Sequence, residues 1–280
     1  MIPLQRSDLS QAVRLFPVRV RPWVRHLVNR RRYRFVDESD LRARRRSDTV
    51  FIFGSGSSVN EIEVDSWHEI AQHDTFGFNW WVHEGFVRTD YHLIRGVPDT
   101  DLDASIWRPQ VEEYFRLLRS SPHFTETVLL VQSGFRAING NRAIGYGYLP
   151  ERNPVFLWRT SMRVGDPSRS FRAGLVHGQS TIQECINAAY LLGWSRIVLV
   201  GVDLYDRRYF WLAPEETRTI DERRGATASQ QHVQAAMGLV ETLGRWQEWL
   251  LREGVELAVY NPRSLLADAL PVYAPTPPTH

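Results

Sequence analysis

Thr49-Val50-Phe51-Ile52-Phe53 is a short apolar run of the kind that forms a strand buried on both faces, and Gly54-Ser55-Gly56-Ser57-Ser58 follows it at once. Val59 to Gln72 then carries apolar residues at helical spacing, with Glu61, Glu63 and Asp65 near its start, where acidic side chains favour the positive end of a helix. The unit is strand, glycine turn, helix. Thr75-Phe76-Gly77-Phe78 and Tyr91-His92-Leu93-Ile94 read as the second and third strands, Asp103 to Leu118 as a helix, and Thr127 to Val131 and Val155 to Trp158 as two further strands. Apart from that last strand, residues 132–176 are rich in glycine and arginine and yield no element. Ser180 to Leu192 has helical spacing, and Arg196-Ile197-Val198-Leu199-Val200 is the most strongly apolar, β-branched run in the chain. His232 to Arg252 predicts a long amphipathic helix, Val255 to Tyr260 a last strand, and Asn261-Pro262 a turn into a short helix. Alternation on this scale predicts an α/β fold, a Rossmann-like parallel sheet flanked by helices on both faces.

Three stretches break the alternation and set the expected organisation. Residues 1–48 form a basic N-terminal extension, residues 49–270 the Rossmann-like domain, and residues 271–280 a tail with four prolines, expected to be extended or mobile. Within the domain, the 27 residues from Asp203 to Ser229 are polar, aromatic and charged without a sustained period. A connection of that length reads as a lid or binding loop, here about 203–231.

Composition narrows the chemistry. All 34 basic residues are arginine, and the absence of lysine excludes a Schiff-base enzyme and a Walker-type phosphate loop. A net charge of +2 gives no field suited to coating nucleic acid. The charge is uneven, with 13 arginines against five acidic residues in the first 48 positions. There Leu15, Phe16, Val18, Val20, Trp23, Val24, Leu27 and Val28 are interleaved with Arg14, Arg19, Arg21, Arg25 and Arg30-Arg31-Arg32, a composition suited to an anionic membrane surface. The plainer reading is a solvated arm that packs its apolar side on the domain; Arg42 to Arg46 read as a linker face. Cys185 is the single cysteine, which excludes an intrachain disulfide and fits a reducing cytoplasm. No apolar run approaches the length of a membrane span, and the start lacks a signal-peptide core, so a cytoplasmic protein, peripheral at most to the inner face of the membrane, is expected.

Candidate chemistry gathers where strands end. Gly54, Ser55 and Gly56 form a turn whose backbone N–H groups suit an anion at the carboxyl edge of a sheet, although many strand-to-helix turns use glycine for geometry alone. Asn79 closes the second strand and suits a nucleotide or sugar, or else caps a helix. Arg95 closes the third and can clamp a carboxylate or phosphate, or make an outward salt bridge. Ser180 and Thr181 open a helix as caps or ligand contacts. Asp203, Tyr205 and Tyr209 follow the strongest strand, and Arg207 and Arg208 read as salt-bridge partners within the lid. His232 opens the last long helix, with an imidazole matched to deprotonating a hydroxyl near neutral pH. His73, His83, His92 and His177 show no zinc spacing, and Asp99, Asp101 and Asp103 lack the rest of an EF-hand loop.

Together these segments resemble the bacterial sialyltransferases of glycosyltransferase family 42 and the wider group of sialyltransferase-like Rossmann proteins. Phe51 to Ile62 is similar to that family's first strand and nucleotide loop, usually G-N-G-P-S; Thr75 to Trp81 is similar to its second-strand segment ending in asparagine. Ser180 to Tyr205 is similar to its helix, strand and G-[IV]-D-x-Y block, and Asn261 to Leu266 to its C-terminal N-S-L-L. The likeness spans about residues 49–267, most specifically in the third block. It implies a glycosyltransferase that moves an acidic sugar, sialic acid or another nonulosonate or Kdo-type sugar, from a CMP-activated donor to a glycan or lipid-linked acceptor, inverting the anomeric centre without a metal or other cofactor. It implies His232 as base, Tyr205 and Tyr209 on the departing phosphate, Asn79 on the nucleotide, and Thr181 with Ser180 on the sugar carboxylate or cytidine. Ser55 stands where the family's loop asparagine is usual, Ser57 replaces its proline, and Arg95 falls where an asparagine helps hold the carboxylate. Two other classes are expected alternatives: an ATP- and magnesium-dependent pterin pyrophosphokinase-like enzyme using Asp203 with Asp206, and a non-catalytic nucleotide-sugar-binding subunit of a glycan assembly system. Association of identical chains is left open.

Overall fold

A computed structural model describes residues 24–95, 104–133, 142–161, 163–205, 208–213 and 238–274. Seven strands, all parallel, form one sheet: β1 Thr49–Phe53, β2 Asp74–Phe78, β3 Tyr91–Ile94, β4 Val128–Gln132, β5 Val155–Trp158, β6 Arg196–Val200 and β7 Glu256–Val259. Their spatial order is β5-β4-β3-β2-β1-β6-β7. The chain winds outward from β1 to one edge, then returns and winds to the other through β6. The doubly wound α/β architecture expected from the alternating pattern is therefore present.

Alternate residues of each strand feed two cores. Val50, Ile52, Phe76, Phe78, Leu93, Leu130, Ile197 and Leu199 meet helices α4 (Thr181–Leu192) and α5 (Leu239–Arg252) on one face. Phe51, Phe53, Ile94, Leu129, Val131, Val198 and Val200 pack on the other, with α2 (Val64–Ile70) and α3 (Ala104–Ser120). Helix α1 (Glu38–Ala43) begins with a capping box in which Asp37 accepts from Asp40 N and the Asp40 side chain accepts from Asp37 N.

Several expectations need correction. The helix expected from Val59 to Gln72 is a 3-10 turn, Ser57–Glu61, followed by α2. The helical spacing was real, but Ser58 is bonded to Asp203 and Asn60 Nδ2 donates to Phe210 O at 2.8 Å, so tertiary contacts hold this first turn apart. Helix α5 runs from Leu239, after Gly238 with φ +80°, which interrupts the single helix expected from His232 to Arg252; residues 231–237 lie outside the described residues. Arg42 to Arg46 are not a linker face. Arg42 and Arg45 donate to the carbonyls of Leu191 and Leu192, at the negative end of α4, and Arg46 Nη2 donates to Asp90 Oδ2 at 2.7 Å. Leu41 is in the core and Val36 N donates to Val155 O at 3.0 Å, so the domain's packing begins well before residue 49. The start of the tail is likewise tied down: Val259 N donates to Pro271 O and Tyr273 N to Val259 O, and the Tyr273 ring stacks on Tyr260.

The part of the basic extension that is described docks on the domain. Residues 24–29 are helical, Asn29 Nδ2 donates to Gly145 O at 2.8 Å, Arg32 pairs with Glu151, and the Arg25 guanidinium lies 5.0 Å from the Tyr146 ring centroid. Among the described residues no helix is long and apolar enough to cross a membrane.

Candidate functional site

In a doubly wound sheet, the loops leaving two adjacent strands part in opposite directions where the winding reverses, opening a crevice at the carboxyl edge. Here that point lies between β1 and β6. Gly54 N donates to Val200 O and Gly56 N to Gly201 O, each at 2.7 Å, so the two loops stay zipped beyond the strands. A Cβ on Gly54 would lie 2.4 Å from Gly201 O, and one on Gly56 would lie 2.2 Å from Asp203 Oδ2. These glycines are required by the neighbouring loop itself. Ser55, half-buried between them, accepts from Phe210 N at 3.2 Å through its carbonyl.

Asp203 is 3% exposed, and its carboxylate is taken up by the protein. Oδ2 accepts from Ser58 N at 3.0 Å; Oδ1 accepts from Ser58 Oγ at 2.5 Å and from Asn261 Nδ2 at 3.0 Å. With Leu265 N on its carbonyl and Ser264 Oγ on that of Val202, it joins the loops that follow β1, β6 and β7. Leu204 follows with φ +64°, a left-handed conformation costly for a branched residue. Tyr205 is half-buried just beyond it. Residues 208–213 return beside the glycine loop, where Tyr209 forms an antiparallel bridge with Gly56. Both tyrosines thus stand on the loop leaving β6, one of them fastened to the glycine turn. Asp206, Arg207 and His232, and most of the expected lid, lie outside the described residues.

Asn79, exposed at the end of β2, also has a left-handed backbone, φ +50°, which asparagine tolerates better than most residues. It is the first residue of the 3-10 turn Asn79–His83, whose cap position is held by Phe78, so it does not stand where a capping residue would. Ser180 does: its Oγ accepts from Ile182 N at 3.4 Å, while Gln183 Oε1 accepts from Gln179 N at 2.7 Å and Thr181 is buried beside them. The N-terminus of α4 therefore faces the same carboxyl edge, with its positive end.

Arg95, leaving β3, is held from beneath. Its Nε lies 3.2 Å from Glu184 Oε2 and its Nη1 3.2 Å from His177 Nε2, while His177 Nδ1 lies 3.3 Å from the same Glu184 oxygen. Glu184 is fully buried, and Thr160 Oγ1 donates to its other oxygen at 3.0 Å. Sequence reasoning missed Glu184 and His177. The available signal was an acid one turn into an otherwise apolar helix, STIQECINAAYLL. Arg95 keeps about a third of its side chain in solvent, so an anion can still reach it. Two titratable neighbours are inert: burial raises the Cys185 thiol, and His92, bonded to Tyr114 Oη at 2.7 Å, is depressed by burial to about 3.

The carboxyl edge thus brings together Gly54, Ser55, Gly56, Asn79, Arg95, Ser180, Thr181, Asp203, Tyr205 and Tyr209, with Asp203 and Ser180 engaged structurally. No family model and no curated protein matches the chain. Among solved structures it is similar to the sialyltransferase CstII from Campylobacter jejuni in complex with the substrate analogue CMP-3FNeuAc, at 14% identity over 80% of this chain and 86% of that one, with a TM-score of 0.47. It is also similar to the monofunctional alpha-2,3-sialyltransferase Cst-I from Campylobacter jejuni, at 13% identity over 85% of this chain and 82% of that one, with a TM-score of 0.43.

Proposed function

We propose that this chain is a glycosyltransferase that moves an acidic sugar from a CMP-activated donor to a glycan or lipid-linked acceptor, inverting the anomeric centre without a metal. The observation that supports the reading is the carboxyl edge where the winding of the sheet reverses, to which the topology brings a glycine turn, two tyrosines, a helix N-terminus and a buttressed arginine. The sequence blocks that resemble family 42 fall on these elements. In the mechanism, His232 removes the proton of the acceptor hydroxyl as its oxygen bonds to the anomeric carbon, and the bond from that carbon to the CMP phosphate oxygen breaks. Tyr205 and Tyr209 donate to the departing phosphate, worth about 2–4 kcal/mol each as preorganised donors. The N–H groups of Gly54 and Gly56 are spent on the loop after β6, so at the glycine turn the Ser55 N–H and side chain take the nucleotide with the Asn79 amide, and Arg95 with Thr181 takes the sugar carboxylate.

The ATP- and magnesium-dependent alternative is disfavoured, because Asp203, its principal carboxylate, already accepts from Ser58 and Asn261. Thermal denaturation with CMP, CDP, or ATP plus magnesium decides between donor classes. CMP at about 100 times its dissociation constant stabilises by about 2.7 kcal/mol. A response only to ATP with magnesium overturns the proposal. With an active donor and acceptor, His232→Ala lowers turnover by about 100-fold or more; turnover at the wild-type rate removes the base assignment.

Residues 1–48 are proposed to hold the enzyme at an anionic membrane surface. Val24, Leu27 and Val28, which share one side of a helical segment, are 46%, 40% and 66% exposed beside exposed Arg30 and Arg31.

A further inference from the structure

Several segments meet around the Arg95 guanidinium. Arg95 leaves β3, Gln132 ends β4, Thr160 follows β5, His177 precedes α4, and Glu184 lies in the first turn of that helix. Gln132 Nε2 donates to Thr160 Oγ1 at 2.7 Å, and Thr160 Oγ1 donates to Glu184 Oε1 at 3.0 Å. Glu184 Oε2 faces Arg95 Nε at 3.2 Å and His177 Nδ1 at 3.3 Å. Arg95 Nη1 closes the circuit, 3.2 Å from His177 Nε2. A guanidinium only donates, so that imidazole nitrogen accepts, and the neutral ring carries its proton on Nδ1, towards Glu184. Every neighbour of the Glu184 carboxylate is then a donor, as an ionised acid requires.

Stability alone gives no reason for this acid. Ile182, Cys185 and Ile186 beside it on the helix are apolar and buried, and Gln183, not Glu184, accepts from Gln179 N at the helix start. Apolar side chains of similar volume in place of a buried ion pair are often neutral or stabilising, so a carboxylate kept here serves its partners. Those partners reach solvent: the Arg95 and His177 side chains are 35% and 30% exposed. Neither contact to Oε2 is an aligned hydrogen bond, so what Glu184 supplies is its charge. With Nε drawn to Glu184 and Nη1 given to His177, the planar guanidinium has its orientation set, and Nη2 has no partner among the described residues. The ordering of a long side chain is thus built into the fold, which lowers the cost of binding.

We propose that Glu184 and His177 are positioning residues that hold Nη2 of Arg95 at the carboxyl edge for the carboxylate of the donor sugar, and so make the site selective for an acid. The assignment rests on the glycosyltransferase reading, which it deepens by naming what sets donor class. The charges of Glu184 and Arg95 cancel while His177 is neutral, so the cluster has no excess charge to attract a phosphate dianion. What it offers is directed N–H bonds from a planar group, which suit a planar carboxylate. Thr181 stands three residues before Glu184, on the same face of α4, so one helix sets both the hydroxyl and the support of the guanidinium. A sugar without the carboxylate leaves Arg95 only neutral acceptors, which make weaker bonds.

The test is calorimetric titration of the full-length protein, without acceptor, using three probes: CMP-sialic acid and CMP-Kdo, which carry the carboxylate, and CMP, which does not. We expect wild type to bind at least one of the sugar nucleotides more tightly than CMP. Glu184→Gln keeps the shape and removes the charge, and is expected to weaken that sugar nucleotide about tenfold with CMP affinity unchanged. His177→Gln, whose amide oxygen replaces the accepting nitrogen, keeps most of the affinity, whereas His177→Leu does not. In an Arg95→Ala background Glu184→Gln has no further effect, an outcome that a merely structural role would not produce. Retained CMP affinity identifies a folded variant, and if Glu184→Gln misfolds, His177→Leu supplies the same comparison. The proposal is overturned if Glu184→Gln and His177→Leu bind the sugar nucleotide as wild type does, if CMP weakens in step with it, or if the loss persists undiminished without Arg95. It is also overturned if wild type binds CMP and neither sugar nucleotide more tightly. Absence of binding by all three probes refutes the transferase reading itself.

Discussion

Glu84 follows the aromatic turn and is buried, with Oε2 accepting from Phe86 N at 2.7 Å and Val87 N at 3.1 Å. The cost of burying its charge outweighs these two hydrogen bonds and pushes its pKa up to about 7. Because the folded value exceeds the unfolded one, this group's contribution to stability is complete below about pH 4.5 and is lost as pH rises through 7. Glu84→Gln keeps the acceptor without the charge, so the variant gains on wild type between those values, by about 3 kcal/mol at most; urea denaturation across pH 4–8 measures it. A constant difference over that range would mean that Glu84 does not titrate in the fold. Asp203 is tied down by three hydrogen bonds. Asp203→Ala strands Ser58 N and frees Asn261 and is expected to cost about 3 kcal/mol, read from the urea midpoint. At this scale the sequence was only partly legible. Asp203 was found because it ends the strongest strand, but nothing local announces that Asn261 takes its oxygen. Arg95 was likewise found without the buried Glu184 that orients it, since the pair is separated along the chain by the whole of β4 and β5.

Elements were more legible, for a physical reason. Parallel strands covered on both faces must be apolar throughout, so β1, β4, β5 and β6 stand out as runs, and glycine or a cap marks the ends. Errors arose where a loop overrode periodicity, as in Ser57–Glu61. Gly56 tests how closely these loops depend on one another. In Gly56→Ala the new methyl group meets Asp203 Oδ2, so the carboxylate must move and the hydrogen bond to Ser58 N is lost. Combined with Asp203→Ala, its cost is expected to fall well short of additive, because both changes undo the same junction; a double-mutant cycle on denaturation free energies supplies the measurement. Strict additivity would show the glycine turn to be independent of β6.

For the molecule as a whole, the order of strands brings segments distant in sequence to one edge, and this is what the sequence blocks resembling family 42 anticipated. The alternation that revealed the fold carried no information about how Trp80 and His83, after β2, meet Trp211, after β6. The membrane role proposed for the basic extension is tested at this scale. Full-length protein is expected to sediment with anionic phosphatidylserine vesicles and to be released as ionic strength rises, whereas Leu27→Asp with Val28→Asp reduces sedimentation in both regimes. Sedimentation with neutral vesicles alone, or with no dependence on salt, would count against an electrostatic anchor.

Both outer strands of the sheet are capped by chain from near its ends: Phe35 forms a parallel bridge with Val155 of β5, and Val272 does so with Val259 of β7. Unpaired main-chain groups on a marginal strand are templates for aggregation or for sheets running on from one molecule into the next. With part of each rim occupied, self-association through continuous β-pairing is obstructed at either side. A second copy adding a strand at either rim would first have to displace these segments.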